Sequence, residues 1–236
     1  MKDSQIVNHA IEENRRFLME HESKDLISEY DIPVGKYKLV QNVDQAINFA
    51  NRIGYPVVAK VMSPDIIHKT EAGIIKLNIK TDEELRIAFE EITTNAKKYK
   101  KDVRIEGINI QNMAIEGLLE VIIGGIRDQN FGPVLMFGLG GIFVEIFKDV
   151  SYRVCPINRR EAARMITKIK AFPLMNGYRG KAKADIESII TCLVNCCQIF
   201  KDNPNIKELD LNPVIIFEEG KDIMVVDARI ILREGI

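Results

Sequence analysis

Glu208-Leu209-Asp210-Leu211-Asn212-Pro213 is the stretch of this 236-residue chain that says most about its fold. In an extended backbone successive side chains point to opposite faces. Glu208, Asp210 and Asn212 then share one face, and Leu209 and Leu211 share the other. The chain continues through a turn at 218–222 into an apolar strand, 223–228. If Phe217 faces Ile223 in this hairpin, Asp227 falls opposite Pro213, beside Asn212 to within one residue of register. Asp227 ends the apolar run Met224-Val225-Val226, which argues against a merely solvated strand face. Oxygen ligands from adjacent strands suit Mg²⁺, which takes a few carboxylates and fills its shell with phosphate and water.

Upstream, Lys60 interrupts Pro56-Val57-Val58-Ala59-Lys60-Val61, a run otherwise fit for burial. A lysine there needs an anionic partner. It is either a point charge for a phosphate or an outward-facing residue on an edge strand. His68 lies in a turn-rich segment between two strands; imidazole is a competent nucleophile toward phosphoryl groups, and a surface loop residue is the plain alternative. Gly138-Leu139-Gly140-Gly141 follows an apolar strand, and glycines there let backbone N–H groups approach an anion. Neither a Walker loop nor a dinucleotide fingerprint is present. Glu120 and Glu145 also break apolar strands and need partners: a second cation, a ribose hydroxyl, or a neighbouring basic side chain.

Helical and strand patterns alternate irregularly, which predicts α+β or mixed α/β architecture. Amphipathic spacing predicts a helix over 1–20, with Val7, Ile11 and Leu18 in one stripe. Ser23 reads as the N-cap of a helix from 24 to 30. Further helices are predicted over 44–53, 82–99, 159–170 and 183–200. Strands are predicted over 56–61, 73–80, 107–113, 118–125, 133–137, 141–147, 151–155 and 206–217. Lys+Arg is 33 and Asp+Glu 34, a net charge of −1. That balance argues against a dedicated nucleic-acid or membrane-surface binder. No apolar run approaches the ~20 residues of a bilayer span, and the polar start predicts no secretory signal. The cysteines Cys155, Cys192, Cys196 and Cys197 form no C-x-x-C and have no histidine nearby. They read as small buried thiols, with a reducing, cytoplasmic compartment as the default.

Nine segments, taken in order, resemble the ATP-grasp proteins. They are Val57-Val-Ala-Lys60, His68-Lys-Thr-Glu-Ala-Gly73, Ile110-Gln-Asn-Met113, Leu118-Leu-Glu120, Arg127-Asp-Gln-Asn-Phe-Gly-Pro133, Phe137-Gly-Leu-Gly-Gly141, Val144-Glu145, Arg179-Gly180 and Glu208-Leu-Asp-Leu-Asn-Pro213. More closely, the chain resembles the β subunits of ADP-forming acyl-CoA synthetases, relatives of succinyl-CoA synthetase β. The resemblance implies an ATP-grasp fold of two lobes with nucleotide held between them. It implies a smaller lobe over 22–112 and a larger one over 113–236 with residues 1–21 packed on it. It implies reversible conversion of acyl-CoA, ADP and phosphate into acid, CoA and ATP through a phosphohistidine. His68 matches the β-subunit histidine that is phosphorylated, and Lys60 the lysine on the nucleotide phosphates. Gln111, Asn112, Met113 and Ala114 match the adenine hinge, which works mainly through backbone groups. Glu120 falls in the ribose or metal region. Asn212 and Asp227, with Asp210 alongside, match the Mg²⁺ ligands, and Gly140 and Arg153 the phosphate site. The partner implied is a CoA-binding α subunit, commonly in an α2β2 assembly; no nucleic acid or membrane is implied. The family's His-Lys-x-x-x-Gly-Gly reads here with Ile74 as its last residue. Two other readings stay open at this stage: an ATP-grasp ligase of another kind, and a domain that senses nucleotide without turning it over.

Overall fold

A computed structural model describes residues 4–66, 71–113, 117–141 and 149–233. The chain divides into two compact units, 1–34 with 116–236, and 35–115. The smaller unit therefore begins at residue 35 and not at 22. The reason is packing: Leu26, Ile27 and Ile32 lie in the core of the larger unit.

The larger unit opens with α1 (Gln5–Glu12), β1 (Phe17–Leu18) and α2 (Glu20–Ser28). The single helix expected over 1–20 is broken, because Asn14 takes a left-handed φ of 56°. Leu18 thus sits in a strand paired with Ile230, not on a helical stripe. Ser23 lies inside α2 and does not cap it. Met19 is the N-cap, and its N–H donates to the Glu22 carboxylate at 2.7 Å.

The smaller unit holds β2 (Tyr37–Val40), α3 (Val43–Ile53), β3 (Val57–Met62), β4 (Ile75–Ile79), α4 (Asp82–Tyr99) and β5 (Gly107–Asn112). Side-chain oxygens of Asn42 and Thr81 cap α3 and α4, as such residues do by accepting from first-turn N–H groups. Its antiparallel sheet runs β2-β5-β3-β4. Val57, Ala59, Val61, Ile108 and Ile110 share one buried cluster with Ala46, Leu85 and Ile92 of the two helices. Ile75, Leu77 and Ile79 alternate with Lys76, Asn78 and Lys80 in the strand predicted over 73–80, yet Leu77 is exposed. Asn78 has φ 58° and the register with β3 shifts between Val57 and Ala59, so a bulge re-aims the strand.

The chain returns to the larger unit with β6 (Leu119–Asp128), β7 (Gly132–Leu139), β8 (Val150–Val154), α5 (Arg159–Thr167), the one-turn α6 (Phe172–Met175), α7 (Ile186–Asp202), β9 (Ile206–Ile216), β10 (Ile223–Val225) and β11 (Ala228–Leu232). The sheet runs β1-β11-β9-β6-β7-β8, and β10 pairs with β9. Val121, Ile123, Leu135, Phe137, Leu209 and Leu211 are buried with Met165 of α5 and Leu193 of α7. The strand expected over 141–147, with Glu145, falls almost wholly outside the described residues.

Cys155, just past β8, is bridged to Cys197 on α7, with Cα atoms 5.7 Å apart. This corrects the reading of all the cysteines as free thiols and removes cysteine usage as an argument for a reducing compartment. Cys192 and Cys196 are free and buried. A hydrogen bond with Cys192, together with burial, pushes the Cys196 thiol well above the usual thiol range.

Candidate functional site

In the smaller unit, β3 is an interior strand between β5 and β4, so Lys60 is not an edge residue. It is 6% exposed. Strand alternation places Val58, Lys60 and Met62 on the face opposite the helix-packed Val57, Ala59 and Val61. The register sets Lys60 opposite Asn109 and Val58 opposite Gln111. Asn109 and Gln111 are buried, and the Asn109 Nδ2 donates to Gln111 Oε1 at 3.4 Å. One face of this sheet thus carries a buried cation and two buried amides. The N–H of Asn112 donates to the Lys36 carbonyl at 3.1 Å, and that of Met113 to the Pro56 carbonyl at 3.0 Å. Ala114 and His68 lie outside the described residues.

In the larger unit, Leu209 and Leu211 are buried on the helix-facing side, which leaves Glu208, Asp210 and Asn212 on the other, as the alternation predicts. The hairpin register is one residue from that expected, with Ile223 opposite Ile216. The pairing breaks at 226–227, and the Asn212 N–H donates to the Asp227 carbonyl at 3.1 Å. Asp227 therefore does lie beside Asn212. Arg229 pairs directly with Asp210 across β9 and β11. Burial raises the Asp210 pKa, and Glu208 and Asp227 raise it further, against the pull of Arg229. Crowded carboxylate charge of this kind favours either a proton or a metal cation. Among the described residues no three His, Cys, Asp or Glu side chains converge into a complete metal cage.

Glu120 of β6 has the same side parity as Ile122 and Gly124, and Gly124 is paired with Asp210. The Gly140 N–H donates to the Glu120 carbonyl at 2.7 Å. A Cβ on Gly140 would meet that backbone at 3.0 Å, so any other residue there would crowd the turn. On the same face a cleft of ≈ 400 Å³ is lined by Ile122, Met136, Tyr152, Glu208 and Asp210 among others. Arg153 is not brought to this face. Its register partner is Leu135, and its neighbour two residues back, Ser151, donates to the Met165 carbonyl of α5 at 2.7 Å.

Residues 9–232 match the ATP-grasp domain family. The chain belongs to the ATP-grasp family. Within it, the chain groups with the β subunits of ADP-forming acetate–CoA ligases. It is 46% identical over 229 residues to the acetate–CoA ligase [ADP-forming] II subunit beta of Pyrococcus furiosus, covering 97% of each chain. It is 42% identical to acetate–CoA ligase [ADP-forming] I of Archaeoglobus fulgidus, where the match covers all of this chain and 34% of that one. Among solved structures it is similar to an acetyl-coenzyme A synthetase 1 of Ca. Korarchaeum cryptofilum in complex with coenzyme A and Mg-AMPPCP, whose phosphohistidine segment points towards its nucleotide binding site. That likeness has TM-score 0.84 and 44% identity, over 97% of this chain and 98% of that one.

Two features of this ATP-grasp chain escape a reading of the sequence. Asn109 alternates with isoleucines, a pattern shared by any half-solvated strand, and only the sheet order shows that its side is buried. Arg229 lies two residues beyond the recognised Asp227, and only the β9–β11 register sets it against Asp210.

Proposed function

We propose that this β subunit transfers a phosphoryl group from a phosphohistidine to ADP, in the reversible reaction acyl-CoA + ADP + phosphate = acid + CoA + ATP, with acetyl-CoA as the acyl-CoA. The observation that carries the reading is identity sustained over 97% of both chains with a β subunit of that name. In the transfer, an oxygen of the ADP β-phosphate attacks the phosphorus of phosphorylated His68. The P–O bond forms, the P–N bond breaks, and the imidazole leaves with its nitrogen lone pair restored.

Lys60 holds the nucleotide phosphates as a buried, desolvated cation, where charge-assisted contacts are strongest. Gln111, Asn112, Met113 and Ala114 hold the adenine. Glu120 orients the ribose, and the glycine turn at Gly140 keeps that carboxylate's backbone in place. Asn212, Asp227 and Asp210 would hold Mg²⁺: they are hard oxygen donors, and the raised Asp210 marks negative charge in want of a cation. When bound, Mg²⁺ offsets phosphate charge. Arg229 limits the repulsion within this carboxylate group. Phosphoryl transfer asks for positioning and charge more than for covalent chemistry from the protein. Arg153 remains near the phosphates only by resemblance; its strand side favours a structural role.

The partner is a CoA-binding α subunit, assembled as α2β2, in the cytoplasm. The name of the Pyrococcus relative, a subunit beta matched over 97% of its length, supports a division of the work between chains. The test compares two variants assayed with α. His68→Ala abolishes overall turnover yet keeps Mg-nucleotide binding; Asp227→Ala weakens Mg-dependent binding itself. Equal loss of binding in both refutes the division of roles.

A further inference from the structure

Asn109 is fully buried, and among the described residues its Oδ1 has no hydrogen-bond partner. A buried, unpaired carbonyl is costly, so one aimed at a ligand face asks for a donor. Its Nδ2 donates to Gln111 Oε1, and in that pairing Oδ1 is the atom left over. The group on offer is therefore an acceptor. It stands between two residues with nucleotide roles on the same sheet face, opposite Lys60 and two positions before Gln111.

We propose that Asn109 reads the nucleotide base, its Oδ1 accepting from the exocyclic amino group of adenine. The inference rests on the nucleotide-binding reading above. Phosphates bring only acceptors, so the donor must come from base or ribose, and the tie to Gln111 sets Asn109 on the base side. The Asn112 and Met113 N–H groups are committed within the unit, and the Asn109 side chain adds an acceptor two positions before Gln111. Guanine would present its O6, another acceptor, where adenine presents its amine. Asn109 is thus a specificity-determining residue that favours ADP over GDP.

The experiment measures affinity for Mg-ADP, Mg-GDP and the diphosphate of purine riboside, which lacks the amine, on the β chain with its α subunit. The wild type binds ADP about tenfold or more tightly than either analogue, the cost of leaving a buried acceptor unpaired. In Asn109→Leu, ADP weakens by about tenfold while the analogues change less than about twofold. The wild-type comparison stands even if that variant does not fold. Equal wild-type affinity for all three overturns the inference, and so does a uniform loss in the variant, which would point to the ribose or to packing. A wild type that binds none of them overturns the nucleotide-binding reading itself.

Discussion

Lys60 was conspicuous in the sequence because a charge interrupts four apolar neighbours. What the sequence left open was whether its strand was interior or edge. Pairing of β3 with both β4 and β5 decides that. Asn109 shows the opposite case: nothing in Ile108-Asn109-Ile110 distinguishes a buried amide from a solvated one. A charge-assisted contact contributes about 1.5–3 kcal/mol. Lys60→Met should therefore weaken Mg-ADP by roughly 10- to 100-fold and erase the rise in unfolding temperature that Mg-ADP gives the wild type. An undiminished rise would remove Lys60 from the site. Asp210, Asn212 and Asp227 were legible because alternation along one strand and an acid closing another require no knowledge of tertiary contacts. Their exact register was not, since the strand pairing breaks at residues that propensity does not mark.

Between elements, two ties set the larger unit's scaffold. Asp185, at the start of α7, accepts from the N–H groups of Ser188, Gly220 and Asp222. It thereby joins the helix to the β9–β10 turn. Burial alone would raise its pKa, but the hydrogen bonds from Asp222, Ser188 and Gly220 outweigh it, and the net shift is downward. A depressed carboxylate contributes stability that is full above its unfolded pKa of about 3.9 and lost as pH falls through the folded value. Asp185→Asn should cost about 1–3 kcal/mol near neutral pH. The gap from wild type, followed by denaturant unfolding, should shrink below about pH 4; a gap constant with pH would deny the charge its part. The second tie is the Cys155–Cys197 bridge, which spans 42 residues. Closing a loop of that length contributes about 2–4 kcal/mol. Reductant should lower wild-type stability by that amount and leave a Cys155→Ala/Cys197→Ala double variant unmoved. Spacing alone could not pair these cysteines, because only the packing of α7 near the end of β8 brings them together. Likewise the break after α1 was hidden: Asn14 adopts a left-handed conformation that asparagine tolerates but does not require.

At the scale of the molecule, the fold was legible through order. No one of the nine segments specifies ATP-grasp, and each alone admits a plain structural account. Composition contributed only exclusions, and the unit boundary at residue 35 was missed because it depends on which core receives α2. The proposed roles fall on both compact units, with Lys60 on the smaller and Asp210, Asn212 and Asp227 on the larger. In the proposed function, His68 is the residue that separates this β subunit from an ATP-grasp ligase with no covalent relay. The decisive measurement incubates the β chain with its α subunit, Mg²⁺ and ATP labelled in the γ-phosphate, and maps the label on β. The account predicts an acid-labile, base-stable label on His68 that is absent from His68→Ala. Mg-nucleotide binding with no label on His68 would contradict it.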